Sequence, residues 1–86
     1  MPSYKIEFAR PARKELVALD PDVAQRLIVQ IEALADEPRP PGCKKLKGSG
    51  RLWRIRRGDW RVIYEINDST KTVDVSAIRH RSDAYR

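Results

Sequence analysis

The residues best suited to chemistry lie in one basic, aromatic stretch, Lys44 to Tyr64, KKLKGSGRLWRIRRGDWRVIY, and in the tail that carries Arg79, His80, Arg81 and Tyr85. Between Arg39 and Arg61 stand nine Lys or Arg against a single acid, Asp59, a local +8 that exceeds the +6 of the whole chain. With one His and one Cys, a protein-only zinc site of the usual nitrogen and sulfur type is excluded. Gly48-Ser49-Gly50 is too short for a phosphate loop and leads into a strand, and no serine triad is supported. Chemistry on a phosphodiester remains, because guanidinium groups bind phosphate oxygens and stabilise charge that develops on them. An RNA 2′-hydroxyl beside the scissile phosphate is its own nucleophile, so such a site needs no metal and no cofactor. It needs a proton acceptor and a proton donor, and His80 is the side chain whose ordinary titration lies nearest neutrality.

Those residues must be positioned by strands. With period 2, the first strand, residues 51 to 57, sends Trp53 and Ile55 to one face and Leu52, Arg54 and Arg56 to the other. The second, residues 60 to 66, sends Trp60, Val62, Tyr64 and Ile66 one way and Arg61 and Ile63 the other. The apolar set has to face a core, so Arg54, Arg56 and Arg61 are expected to converge on a solvated face. Gly58-Asp59 joins the two strands as a two-residue link whose leading glycine suits a type II′ hairpin. The alternative reading of Arg54 and Arg56 is a solvated strand face without function. Trp53, Trp60 and Tyr64 are read as core and sheet packing rather than platforms for bases.

Tyr4, Ile6 and Phe8 alternate with Lys5 and Glu7 as a half-buried strand. Pro11 opens a short helix carrying Ala12, Leu16 and Leu19, and Asp20-Pro21 supplies a cap and first-turn proline for a second helix with a stripe from Ala24 to Ala35. The segment DEPRPPGCKKLKGSG is a long connection whose lysines, Lys44, Lys45 and Lys47, suit phosphate or acidic-peptide contact. After a polar turn at Asn67 to Lys71, Val73, Val75 and Ala77 are expected to alternate with Asp74, Ser76 and Ile78 in a last strand. The fold class expected is α+β: strand, helical hairpin, then antiparallel meander, with the helices on one face of the sheet. The open face is expected to carry Arg54, Arg56 and Arg61, joined by some of Arg79, His80, Arg81 and Tyr85.

A chain of 86 residues is expected to form one domain, residues 1 to 86, with one modest core. The charge is uneven, with residues 1 to 38 holding five bases and seven acids, and residues 39 to 86 thirteen bases and five acids. A pI near 9.9 with one-sided charge favours a polyanionic partner, nucleic acid or an acidic protein segment. No apolar run approaches the roughly 18 residues of a membrane span, and MPSYKIEF has no signal-peptide core, so a cytoplasmic location without membrane contact is expected. The single Cys43, which cannot form an internal disulfide, agrees with a reducing compartment.

The chain resembles the RelE/ParE superfamily of type II toxins through YKIEFARPARKEL, DEPRPPGCKKLKG, LWRIRRGDWRVIYEI and HRSDAY, with nearly complete coverage. The resemblance implies a sheet whose last strand lies beside its first. For the RelE branch it implies a ribosome-dependent endoribonuclease that cuts mRNA through 2′-hydroxyl attack. A cognate antitoxin is the implied partner, with operator DNA bound only through the antitoxin complex. Carried over by motif, Arg61 stabilises the transition-state phosphate, Arg81 and Tyr85 with His80 complete the catalytic set, and Arg54, Arg56 and Arg79 bind substrate, joined by the loop lysines Lys44, Lys45 and Lys47 that the composition already suggested. Arg54 and Arg56 stand where the best-known member has lysines, and a guanidinium binds phosphate but is a poor proton acceptor. Two other readings stay open: a ParE-like inhibitor of DNA gyrase, and a weakly active toxin that acts mainly in an autoregulatory antitoxin complex.

Overall fold

The computed structural model describes residues 3–48 and 50–81. Five strands and two helices follow the order β1 (Lys5–Phe8), α1 (Arg10–Val17), α2 (Pro21–Ala33), β2 (Lys44–Lys45), β3 (Leu52–Arg57), β4 (Trp60–Asn67) and β5 (Thr72–His80). They form one mixed sheet in the order β1-β5-β4-β3-β2. Only β1 and β5 run parallel, with Lys5 opposite Thr72 and Phe8 opposite Val75. The last strand therefore lies beside the first, as the resemblance implied. No helix of the described residues is long and apolar enough to cross a membrane.

The helices start where local chemistry permits. Pro11 and Pro21 occupy first-turn positions, where a missing N–H costs nothing, and the Asp20 carboxylate accepts from the Asp22 N–H at 3.1 Å. Both helices cover one face of the sheet, and the core between the layers holds Ala12, Leu27, Ile31 and Leu34 from the helical side. Ile55, Val62, Tyr64, Val73, Val75 and Ile78 close it from the sheet. Gly58 has φ 60° while Asp59 keeps a negative φ, the combination that a type II′ hairpin demands.

Ile78 departs from the strict alternation expected of the last strand. β4 and β5 shift register between Ile63 and Tyr64, so that Ile63 opposes Ala77 and Tyr64 opposes Val75. Ser76 is the extra residue of a bulge. One inserted residue reverses side-chain parity, so Ile78 joins Val73 and Val75 in the core while Ala77 turns to the open face. The larger apolar side chain is thereby the one buried.

The long connection also holds a short strand that its sequence pattern did not show. Lys44 and Lys45 pair with Arg54 and Trp53 as a short edge strand, and the Leu46 N–H donates to the Leu52 carbonyl at 2.8 Å. Arg39 binds the Asp68 carboxylate at 3.0 Å and lies over the Trp53 ring at 5.2 Å. Tyr4 donates to the same carboxylate at 2.6 Å, so the hydrogen bonds from Arg39 and Tyr4 hold Asp68 below the usual carboxylate range. Tyr64, wholly buried, donates its hydroxyl to the Pro38 carbonyl at 2.7 Å. Burial, and secondarily the neighbouring Cys43, pushes that phenol far above its ordinary titration, so it acts as a fixed donor. Tyr64→Phe is expected to keep the fold and lose about 1 kcal/mol of stability, because the Pro38 carbonyl loses its donor. Urea denaturation of the two chains measures this, and an unchanged midpoint would remove the tether.

Candidate functional site

β-Pairing alone assembles the basic centre. Arg56 opposes Arg61 and Arg61 opposes Arg79, so three guanidinium side chains stand on one rung across β3, β4 and β5, on the face away from the helices. The next rung places Lys44, Arg54, Ile63 and Ala77 side by side on the same face. Like charges directly opposed weaken a sheet, and a bound anion relieves that repulsion. Beyond the end of β5, the Arg81 N–H donates to the Asp59 carbonyl at 2.7 Å and its guanidinium lies 3.7 Å from the Asp59 carboxylate. Arg56, Gly58, Asp59, Arg61 and Arg81 together line a cleft of about 300 Å³. Three arginines against one carboxylate make this cleft strongly cationic.

Arg61 differs from expectation in one respect. It faces away from the helices, but on the central strand, flanked by Arg56 and Arg79, only 8% of it is exposed. The expectation that Arg61 is solvated is therefore corrected. Truncation at this position leaves buried volume unfilled as well as removing charge.

Arg79 is positioned by a residue that the sequence reading did not single out. β1 pairs with β5 only as far as Phe8 and Val75, and the Ala9 N–H donates to the Val75 carbonyl at 2.8 Å. Past that point α1 covers the strand edge. Glu15 accepts the Ile78 N–H at 2.9 Å with one carboxylate oxygen and binds the Arg79 guanidinium with the other. A lone glutamate on an amphipathic helix gives no sequence signal for this, because the contact depends on where β1 ends.

The bulge at Ser76 also sorts the tail. It sends Arg79 to the face of Arg61 and His80 to the helix side, where His80 opposes Trp60 with the rings edge to face at 5.0 Å. Of the tail residues of which some were expected on the open face, Arg79 is thus brought to the arginine row and His80 is not. Among the lysines, Lys44 shares the outer face with Arg54, Lys45 turns to the other face with its ammonium 5.9 Å from the Trp53 ring, and Lys47 is exposed in a turn. Tyr85 lies outside the described residues. No group of His, Cys, Asp and Glu among the described residues is arranged to hold a metal.

The opposite end of the same face is acidic. Glu7, Asp74 and Glu65 stand on one rung across β1, β5 and β4, and Arg51 reaches Glu65 at 3.5 Å. Burial, and then the charges of Glu65 and Glu7, raise the Asp74 carboxyl above its ordinary range. The open face therefore has a cationic end at the hairpin and an anionic end at the Asn67 turn.

Comparison with known proteins agrees with this architecture. Residues 6–85 match the family described as the ParE toxin of type II toxin-antitoxin system, parDE. The toxin RelG of Mycobacterium tuberculosis is 30% identical over 84 residues that cover 96% of this chain and 97% of that protein. A chain of the toxin-antitoxin complex RelBE2 of the same organism superposes with a TM-score of 0.81 at 29% identity, covering 94% of this chain and 100% of that one. The archaeal RelE-RelB complex of Pyrococcus horikoshii contains a chain with a TM-score of 0.82 at 29% identity, covering 94% of this chain and 98% of that one.

A raised folded-state titration means that Asp74 favours the fold while protonated and costs stability as pH rises through its folded value. Asp74→Asn is expected to stabilise the protein at pH 7 by about 0.5 kcal/mol, the scale of one like-charge pair across strands, and by nothing at a pH low enough to protonate the parent carboxyl. Thermal unfolding of both chains across pH 3 to 7 checks this. A gain independent of pH would assign it to packing instead of charge.

Proposed function

The chain belongs to the RelE/ParE superfamily of type II toxins, and from that premise we propose that it is a ribosome-dependent endoribonuclease that cuts mRNA by 2′-hydroxyl attack on the adjacent phosphate. The observation that carries this reading is the cleft lined by Arg56, Arg61 and Arg81, with Arg79 opposite Arg61 on the same rung. Three guanidinium groups lining one small cleft, with Arg79 beside Arg61 on the next strand, suit a phosphate whose non-bridging oxygens gain charge on the way to the transition state. Arg61, held rigid by burial, takes the central oxygen contacts. Arg56 and Arg79 flank it, and Glu15 limits the reach of Arg79. Arg81 is held by an exposed, 3.7 Å ion pair with Asp59 that an incoming phosphate can displace. Lys44 and Arg54 continue the cationic track along which the strand lies, and Lys47 adds charge beside it.

In the reaction the 2′-oxygen forms a bond to phosphorus and the bond to the 5′-oxygen breaks, leaving a 2′,3′-cyclic phosphate and a 5′-hydroxyl. Solvent water takes the proton of the 2′-hydroxyl and supplies the one that reaches the 5′-oxygen. Arginine is a poor acceptor, and His80 lies across the sheet from the cleft. Catalysis in this reading rests on charge stabilisation and on alignment of the 2′-oxygen by the ribosome. A cognate antitoxin neutralises the toxin by covering the basic face with an acidic segment, in keeping with the antitoxin complexes that the related structures contain.

The second reading, inhibition of DNA gyrase, draws on the family description that names ParE. Primer extension on a reporter mRNA after induction separates the two: discrete cuts are expected, and their absence together with lost supercoiling activity would replace the nuclease. Within the nuclease reading, Arg61→Lys is the informative variant, because it keeps charge and most of the buried stem; a loss of about 10² to 10³ in single-turnover cleavage is expected. His80→Gln is expected to cleave within a few-fold of the parent with an unchanged pH profile. A loss of 10² or more there, with a lost ionisation, would return the proton to His80.

A further inference from the structure

The hairpin has two sides, and the phosphate cleft uses one of them. On the helix side lies a second cavity of about 410 Å³, lined by Val23, Arg26 and Leu27 of α2 and by Arg57 and Trp60 of the hairpin. Its composition is unlike that of the first. The floor is apolar, one wall carries an indole, and two exposed guanidinium groups stand at the rim. On its own rung Trp60 stands between Arg57 on β3 and His80 on β5, and the His80 ring meets it edge on at an interplanar angle of 79°.

The two cavities are neighbours by construction. Consecutive residues of a strand face opposite ways, so Arg56 and Arg61 line the outer cleft while Arg57 and Trp60, one residue nearer the turn, line the inner cavity. Gly58 and Asp59 belong to both. The partition between them is therefore a two-residue turn, and at Gly58 it has no side chain; a Cβ built there meets nothing within 4 Å. A single RNA strand repeats an anion joined to a flat aromatic ring. Cationic cleft and aromatic cavity stand back to back across that turn.

We propose that the inner cavity is a nucleobase subsite, which takes the base of a nucleotide next to the phosphate held in the outer cleft. The proposal rests on the RNA-cleaving reading. Trp60 and the apolar floor offer a stacking surface that any base can use, and Arg26 and Arg57 supply planar cations that stack on a base or donate to its edge. His80 gains a role here that its position supports: it fixes the Trp60 ring. An mRNA strand so bound wraps the hairpin tip, its backbone on the Arg61 side and one base on the Trp60 side.

The test is single-turnover cleavage on programmed ribosomes of mRNAs in which each nucleotide flanking the cut is made abasic in turn. For the parent chain one abasic position is expected to slow cleavage about ten-fold. Arg26→Gln, on the exposed face of α2 and harmless to folding, and Trp60→Leu, checked for folding by circular dichroism, are expected to cut intact mRNA with a similar loss. In both variants the abasic position should then add no further effect. If the abasic penalty persists at full size in the variants, or never appears in the parent while intact mRNA is cut, the subsite is overturned and the nuclease stands. If the parent fails to cut intact mRNA, the nuclease reading and the subsite fall together. Arg26→Gln that weakens antitoxin binding and leaves cleavage untouched would assign the cavity to a protein partner and overturn the proposal.

Discussion

The site depends on one inserted residue. Ser76 bulges out of the pairing between β4 and β5, and every side chain beyond it on β5 faces the side opposite to the one that strict alternation would give. Without the bulge Ala77 would fill the core position of Ile78, Arg79 would point under the helices, and His80 would face the open side. The driving force is ordinary. Burying isoleucine in place of alanine gains apolar area, and keeping an arginine out of the core avoids desolvating a charge without adequate pairing. A packing preference in the core thus fixes which tail residue stands beside Arg61.

Much of this protein was legible before its structure. The strands showed in their alternation, the helix starts in Asp20-Pro21 and Pro11, and the hairpin in Gly58-Asp59, because each follows from local rules. The outward placement of Arg54, Arg56 and Arg61 followed from the same periodicity. What the sequence concealed was non-local. The bulge leaves no mark in VDVSAIRH, since a pattern of period 2 reads equally well on either side of an inserted residue until one knows what lies opposite. Pairing of Lys44-Lys45 depends on an edge offered by β3, and the grip of Glu15 on Arg79 depends on β1 ending at Phe8. Burial of Arg61 reflects its place on the central strand, a property of the sheet order.

The open face is electrically divided, and the division is built from rungs. One rung gathers Arg56, Arg61 and Arg79, and another gathers Glu7, Asp74 and Glu65. A polyanion approaching this sheet is drawn to the hairpin and repelled from the β1 end, which fixes its orientation before any specific contact forms. The connection after α2 serves the same end mechanically. Its ties to Tyr64, Asp68 and Trp53 hold β2 against β3, so Lys44 stands in line with Arg54 instead of trailing in solvent.

The parallel pairing of β1 with β5 has a consequence for the order of events during synthesis. β1 is made first, yet its one strand partner is made last among the described strands, so β1, α1 and α2 emerge from the translating ribosome with no sheet to complete their core. Contacts so distant in sequence form late. Arg79 itself comes from β5, and its partner Glu15 waits on α1 until that strand arrives. The arginine rung therefore exists only once the whole domain has been translated. A nascent copy whose β5 is still inside the exit tunnel therefore carries the hairpin arginines without Arg79 beside them.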